Sequence, residues 1–316
     1  KLNISVSTVS RVVTNKDRVS KETRKKVLEA LKELDYHPNE IARSLRSNST
    51  NTIGMIVPDI SNEFFAFIYK GAEKIASEFG YTLILANSDG VAEKEKKYVD
   101  LLFKKQIAGL ILATVENSNE YFRYLRKLRI PVVFVDNLPN TDLDYSSVSI
   151  NNEMAAYEIT DYAISLGHRK IAFITGPKNE TTSFERLAGW TKAMKANGLE
   201  IDKNWVGYGD FKRESGYRVM KGILSQNNIP TALVGANNYL AYGAIECILD
   251  SGYKIPDDIA VVCFDAYDPT RLLKPQLTTI IQPTEEIGRK AVEIIHRNSN
   301  AKLRACLLYT SDAADE

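Results

Sequence analysis

The chain has 316 residues, 44% of them hydrophobic and 26% charged, which suits a globular protein of two or three domains with a sizeable core. It has no run of about 18 apolar residues and no signal-like start, so neither a membrane span nor a secretory signal is supported; because it does not begin with Met, a removed leader stays open. Net charge is only +1, but residues 1–50 hold eleven Lys and Arg against six Asp and Glu, so this end is the candidate for a polyanionic partner.

The first element is SVSTVSRVV. With Ser5 as N-cap, Val9, Val12 and Val13 fall on one side of a helix and Ser7, Ser10 and Arg11 on the other. That polar side offers mainly donors and no acid, which suits phosphates and guanine edges, although an ordinary surface helix has the same pattern. TNKDRVS then reads as a turn, and Ser20 caps a second helix to Leu34 with Val27, Leu31 and Leu34 on one side. His37-Pro38 breaks that helix, Asn39 opens a short one to Arg46, and Ser47 to Thr50 is a polar linker. Residues 39–46 carry too little apolar surface to stay helical alone, since isolated helices below about 12 residues are marginal. The segment is expected to fold only when something holds it.

From Asn51 the texture changes to short apolar runs, IGMIV, YTLILA, GLILA, VVFV, KIAFIT, TALVG and AVVCF, separated by longer amphipathic stretches. Continuous apolar strands alternating with helices mean parallel sheets covered on both faces. Two open sheets fit better than one closed barrel, because Asn137 to Ser147 reads as an irregular connection between halves. Two lobes leave a cleft, and ligands of open α/β sheets sit beyond the carboxyl ends of the strands.

His37, His168 and His296 have no metal-ligand spacing, and Cys247, Cys263 and Cys306 are widely spaced with no CxxC, so they read as reduced thiols of a cytoplasmic protein without a metal or cofactor. No phosphate loop, dinucleotide fingerprint or nucleophile elbow is present. The strand-end residues instead make a clamp for a hydroxyl-rich small molecule. Asp136 and Asp265 accept from paired hydroxyls, Arg186 donates in a fork, Asn237 does both, and Phe64, Phe65 and Phe211 offer flat apolar faces. The plainer readings are a helix-capping Asp, a core Phe and a surface Arg ion pair.

The stretch from SVSTVSRVV through VPDISNEFF resembles the lactose/galactose/purine repressor (LacI/GalR) family of bacterial transcription factors, and the likeness continues through NSDGVAEKEKKYVDLLFKKQIAGLIL, GHRKIAFITGP, RLAGW, GDFKRESGY and LTTIIQP. The resemblance implies an α/β fold of two doubly wound parallel-sheet lobes, like a periplasmic binding protein, preceded by a small all-α helix-turn-helix domain. It implies that domain over residues 1–38, a hinge helix and linker over 39–50, an N-terminal lobe over 51–150 plus 282–300, a C-terminal lobe over 151–281, and an atypical tail over 301–316. The expected activity is repression of carbohydrate genes by a cytoplasmic homodimer on palindromic double-stranded operator DNA, under a small-molecule effector. No enzyme activity, cofactor or membrane is implied.

By similarity, Val6, Ser7 and Arg11 meet base edges, while Thr8, Ser10 and Asn15 meet phosphates. In the hinge, Ala42 and Leu45 reach DNA, with Leu45 wedging open a minor-groove step at a cost of about a few kcal/mol. The effector positions are Phe64, Phe65, Asp136, Thr182, Arg186, Phe211, Asn237 and Asp265. Two departures bear on the effector: Glu180 stands where purine-responsive members carry Arg, and Asn238 replaces a common Asp. They favour a sugar or sugar derivative over a purine. Both ends depart as well. Lys1-Leu2 matches only the tail of the family's first helix, so weak DNA binding is expected of the chain as given, and AKLRACLLYTSDAADE is unlike the family's final strand. The competing readings are a solute-binding protein of a transport system, a purine-responsive repressor and a sugar-processing enzyme.

Overall fold

A computed structural model describes residues 4–13, 19–34, 50–267 and 276–300. The chain divides into two units, Lys1–Thr50 and Asn51–Glu316.

In the first unit, α1 (Val6–Val13) and α2 (Lys21–Glu33) each begin at a serine whose Oγ accepts from the backbone N–H three residues on, Ser5 from Thr8 and Ser20 from Thr23, both at 3.2 Å. These are the expected caps; each satisfies an N–H that has no partner within its helix. Val12 and Val27 are buried where the two helices meet, but Leu34 is 64% exposed, so the expected apolar side of α2 ends before its last residue. Leu34 follows the last turn as its C-cap and has left the helix face. The expected turn over 14–18, the His37-Pro38 break, the helix over 39–46 and the tail from 301, with Cys306, lie outside the described residues.

The second unit carries two five-stranded parallel sheets. The first contains β1 (Thr52–Val57), β2 (Thr82–Asn87), β3 (Gly109–Leu112), β4 (Val132–Val135) and β5 (Ser146–Val148), in the order β2-β1-β3-β4-β5. Ile53 lies beside Leu83 on one flank and Gly109 on the other. The second contains β6 (Ile171–Thr175), β7 (Val206–Tyr208), β8 (Ala232–Gly235), β9 (Ala260–Phe264) and β10 (Thr278–Ile280), in the order β7-β6-β8-β9-β10. The two orders are the same, strand for strand.

Burial on both faces explains the unbroken apolar runs. In β1, Ile53, Met55 and Val57 join a core under α3 (Glu63–Glu78), while Ile56 joins a separate core with Leu102 of α4 (Ala92–Lys104) and Phe122 of α5 (Asn119–Lys127). Three strands that the sequence pattern did not announce, β5, β7 and β10, are three-residue edge strands with little apolar surface. The expected irregular stretch ending at Ser147 therefore closes in a strand.

The helices after the fifth strands change lobes. After β5, α6 (Asn152–Ser165) packs on α7 (Thr181–Ala196) and the second sheet; after β10, α10 (Thr284–Asn300) packs on α3 and the first sheet. A Cβ added to Gly71 would lie 2.0 Å from the Glu285 carbonyl oxygen, and one added to Gly288 would lie 2.0 Å from that of Ile68. Glycine at both places lets α3 and α10 approach closely enough to bind the crossing segment to the first lobe. Cys247 and Cys263 are buried free thiols. Among the described residues, no helix is long and apolar enough to cross a membrane.

Candidate effector cleft and DNA-binding helix

The carboxyl ends of both sheets open on one cleft of about 630 Å³, within the ordinary range for small-molecule sites. All eight expected effector positions line it: Phe64, Phe65, Asp136, Thr182, Arg186, Phe211, Asn237 and Asp265. Strand order explains the convergence. Asp136 follows β4 and Asp265 follows β9, corresponding places in the two sheets, and both adopt left-handed backbone, with φ of 62° and 55°. Asp89 after β2 and Phe211 after β7 form a second such pair, at 55° and 62°. A bulky residue held at positive φ stores on the order of 1–3 kcal/mol, so Phe211 is kept there by its surroundings. Its ring lies where a Gly176 Cβ would stand, 2.1 Å away, and its carbonyl accepts from Asn237 Nδ2 at 3.1 Å.

Arg186 is 3% exposed. Its Nε donates to Asn152 Oδ1 at 2.8 Å, Nη1 donates to the Ala236 carbonyl, and the guanidinium lies 4.2 Å from the centre of the Phe264 ring. Nη2 is buried with no hydrogen-bond partner among the described residues. A buried donor without an acceptor costs about 1–3 kcal/mol, which a ligand oxygen would remove. Burial lowers the Arg186 pKa, opposed by the nearby Asp136 and Asp265 charges.

The carboxyls differ. Asp265 accepts from Gln282 N–H at 3.1 Å and Gln282 Nε2 at 2.6 Å, yet burial still raises its pKa. Asp136, enclosed in the cleft wall, is pushed up to about 6 by burial, with Arg186 pulling the other way. Glu180 also lines the cleft and is pushed up to about 8 by burial, then by the charges of Asp136 and Glu95.

Several expected side chains have structural duties too. Asn237 caps α9 (Asn238–Asp250), its Oδ1 accepting from Leu240 N–H at 2.9 Å, so with Nδ2 on Phe211 it is a positioning group as much as a wall. Phe64 and Phe65 meet edge to face at 5.0 Å and belong to the first lobe's core while lining the cleft. Gln282 was not singled out from sequence; it stands in the quoted LTTIIQP, but its pairing with Asp265 depends on a crossover that no local pattern reveals.

Polar contacts fasten the lobes beside the cleft. Asn137 Oδ1 accepts from Thr181 N–H at 2.7 Å and from Thr181 Oγ1 at 2.6 Å, and Asn117 Nδ2 donates to the Asn179 carbonyl at 2.7 Å. Elsewhere Tyr239 donates its hydroxyl to the Ser61 carbonyl at 2.8 Å.

In the first unit, Ser7 and Arg11 are exposed on α1 and Thr8 is half-buried. Ser5 Oγ lies 2.8 Å from Ser7 Oγ and 2.9 Å from Thr8 Oγ1, so the cap also orders two expected DNA contacts. Val6 and Ser10 lie in α1, with their side chains outside the description; Asn15, Ala42 and Leu45 lie outside the described residues altogether. Among the described residues, no group of three or more His, Cys, Asp or Glu is placed to hold a metal.

Comparison with known proteins assigns both units. Residues 2–39 match bacterial regulatory proteins of the lacI family, and residues 50–307 match periplasmic binding proteins and the sugar binding domain of the LacI family. The chain is 37% identical over 303 residues to the HTH-type transcriptional repressor PurR of Histophilus somni (strain 129Pt), covering 95% of this chain and 90% of that one. It resembles the transcriptional regulator CelR in its cellobiose complex with a TM-score of 0.75 at 28% identity, over 97% of this chain and 93% of that one. The Lac repressor dimer bound to operator and the anti-inducer ONPF aligns with a TM-score of 0.83 at 27% identity, over 95% and 90% of the two chains.

Proposed function

Because the chain belongs to the LacI family, whose members are DNA-binding transcriptional regulators and not enzymes, we propose that it represses as a homodimer on a palindromic operator under the control of a sugar or sugar derivative in the inter-lobe cleft. The observation that carries this reading is the unpartnered Arg186 Nη2 in the wall of a cleft that also presents Asp136 and Phe211. A ring oxygen or hydroxyl satisfies the guanidinium, a hydroxyl donates to the carboxylate, and a pyranose face stacks on the aromatic ring. The sugar-binding description of the matched family and the cellobiose complex of CelR support the same class.

On this reading Val6, Ser7 and Arg11 read bases, Thr8, Ser10 and Asn15 hold phosphates, and Ala42 and Leu45 act from the hinge. A ligand that binds one arrangement of the lobes better than another shifts the population and with it the operator affinity. Couplings of this kind are typically about 1–3 kcal/mol.

A thermal-shift screen of sugars, sugar acids, phosphates and nucleobases tests the effector class, since a ligand at about 100 times its Kd stabilises the native state by about 2.7 kcal/mol. A sugar is expected to shift the transition, and Arg186→Ala and Asp265→Ala to erase the shift. A response to nucleobases alone, or a sugar response that survives both substitutions, would overturn the assignment. For the DNA side, anisotropy on a selected palindrome should show affinity falling steeply with salt and weakened by Leu45→Ala. Salt-insensitive binding would contradict it.

A further inference from the structure

Among the described residues, six carboxyl side chains line the cleft, against two cations, Arg186 and Lys212. Four of the six have donors within the protein. Asp59 accepts from Ser61 N–H at 2.9 Å and Ser61 Oγ at 2.6 Å; Asp89 is held by Lys94; Asp210 accepts from Lys212 N–H at 3.1 Å; Asp265 is held by Gln282. The remaining two, Asp136 and Glu180, accept no hydrogen bond from any described residue. Glu180 stands at the N-cap position of α7 but makes no capping bond, so the helix does not use its carboxyl.

Glu95, whose charge also acts on Glu180, is fully buried and accepts from Thr114 Oγ1 and Val115 N–H, both at 2.8 Å. The charges felt by Glu180 are those of Asp136 and Glu95, both negative. Asp136 and Glu180 are thus cleft carboxyls without a hydrogen-bond donor among the described residues; the cation that acts on them is Arg186, which pulls on Asp136 and has a donor to spare, and no cation among the described residues offsets Glu180.

We propose that the cleft selects an amino-bearing, cationic sugar, with its ammonium between Glu180 and Asp136 and its hydroxyls on Arg186 and Asp265. This deepens the effector-cleft reading above and rests on it. An ammonium has three donors and no acceptor, which matches two carboxylates lacking donors, and ionised hydrogen bonds are the stronger kind. A neutral sugar leaves Glu180 without a counter-charge and Asp136 with Arg186 alone, and a sugar phosphate or sugar acid brings a further negative charge to both. Glu180, held up to about 8, is the carboxyl that a bound ammonium would ionise.

The test is calorimetric titration of the full chain with glucosamine, galactosamine and mannosamine, each set against its parent hexose and its N-acetyl form. At least one amine should bind tenfold or more tightly than both of its uncharged counterparts, about 1.4 kcal/mol. Glu180→Gln should collapse that preference for the amine, and Asp136→Asn should do the same in a second background, each variant first being checked for an unchanged native melting transition. Parent hexoses that bind as well as their amines, or a preference that survives Glu180→Gln, would overturn the proposal and leave a sugar-binding cleft in place. No binding by any of these compounds would likewise overturn the amino-sugar proposal, while the broader sugar reading falls to a nucleobase-only response in the thermal-shift screen.

Discussion

The fourth strand of each sheet ends in an aspartate at left-handed φ, Asp136 in one lobe and Asp265 in the other, yet the two carboxyls live differently. Asp265 is fixed from two sides by Gln282, whereas Asp136 has only the nearby Arg186 charge. The ends of the second strands diverge further: Asp89 is held by Lys94 at the surface, and Phe211 presents an aromatic ring to the cleft. Shared strand order gives corresponding positions the same backbone, and substitution at those positions gives the walls different chemistry. The first lobe contributes Asp136, a carboxyl that accepts no hydrogen bond from a described residue; the second contributes Arg186, the ring, Glu180 and a carboxyl already positioned.

Substitutions that exploit this contrast sharpen it. Arg186→Ala should have the largest effect, removing ligand response and costing about 3 kcal/mol in denaturant unfolding, because Asn152 Oδ1 and the Ala236 carbonyl both lose a charged donor. A loss below about 0.5 kcal/mol would show that the guanidinium does not organise the second lobe. Next, Asp265→Ala should cost about 1–3 kcal/mol by leaving the Gln282 donors without an acceptor. Asp136→Asn should leave stability unchanged or raise it while still impairing ligand binding. Equal destabilisation by the two changes would break the comparison.

A smaller effect concerns pH. Glu180 ionises near 4.5 when exposed and at about 8 when folded, so between those values the native chain binds a proton that the unfolded chain has lost. Stability contributed by this group therefore falls as pH rises through that window. Glu180→Gln should raise the melting temperature relative to the parent by a few degrees at pH 8.5 and by little at pH 5; a gap that is largest at pH 5 would reverse the sign. Smallest of all, Ser20→Ala should cost about 1 kcal/mol through loss of the α2 cap, read as reduced helicity of the isolated first unit. Unchanged helicity would remove the cap from the account.

The central strands were legible because both faces are buried, which leaves runs such as VVFV without polar interruption. The edge strands β5, β7 and β10 were not, since three residues are too few to carry a distinctive period. The cleft positions were legible as residues following strands, but their partners were not. That Asn237 holds Phe211, or that Gln282 returns to Asp265, depends on tertiary neighbours brought together by crossovers. Positive φ at Phe211 was equally invisible, because nothing in a phenylalanine announces it. The likeness to a known family covered the places of these residues without specifying how each is held.

The claim that one cleft both binds the effector and governs the operator is tested most directly by linkage. Operator affinity measured by anisotropy with and without a ligand whose binding depends on Arg186 should change by about 5- to 150-fold, and ligand affinity measured with and without operator should change by the same factor. An Arg186-dependent ligand that leaves operator affinity untouched would contradict the account.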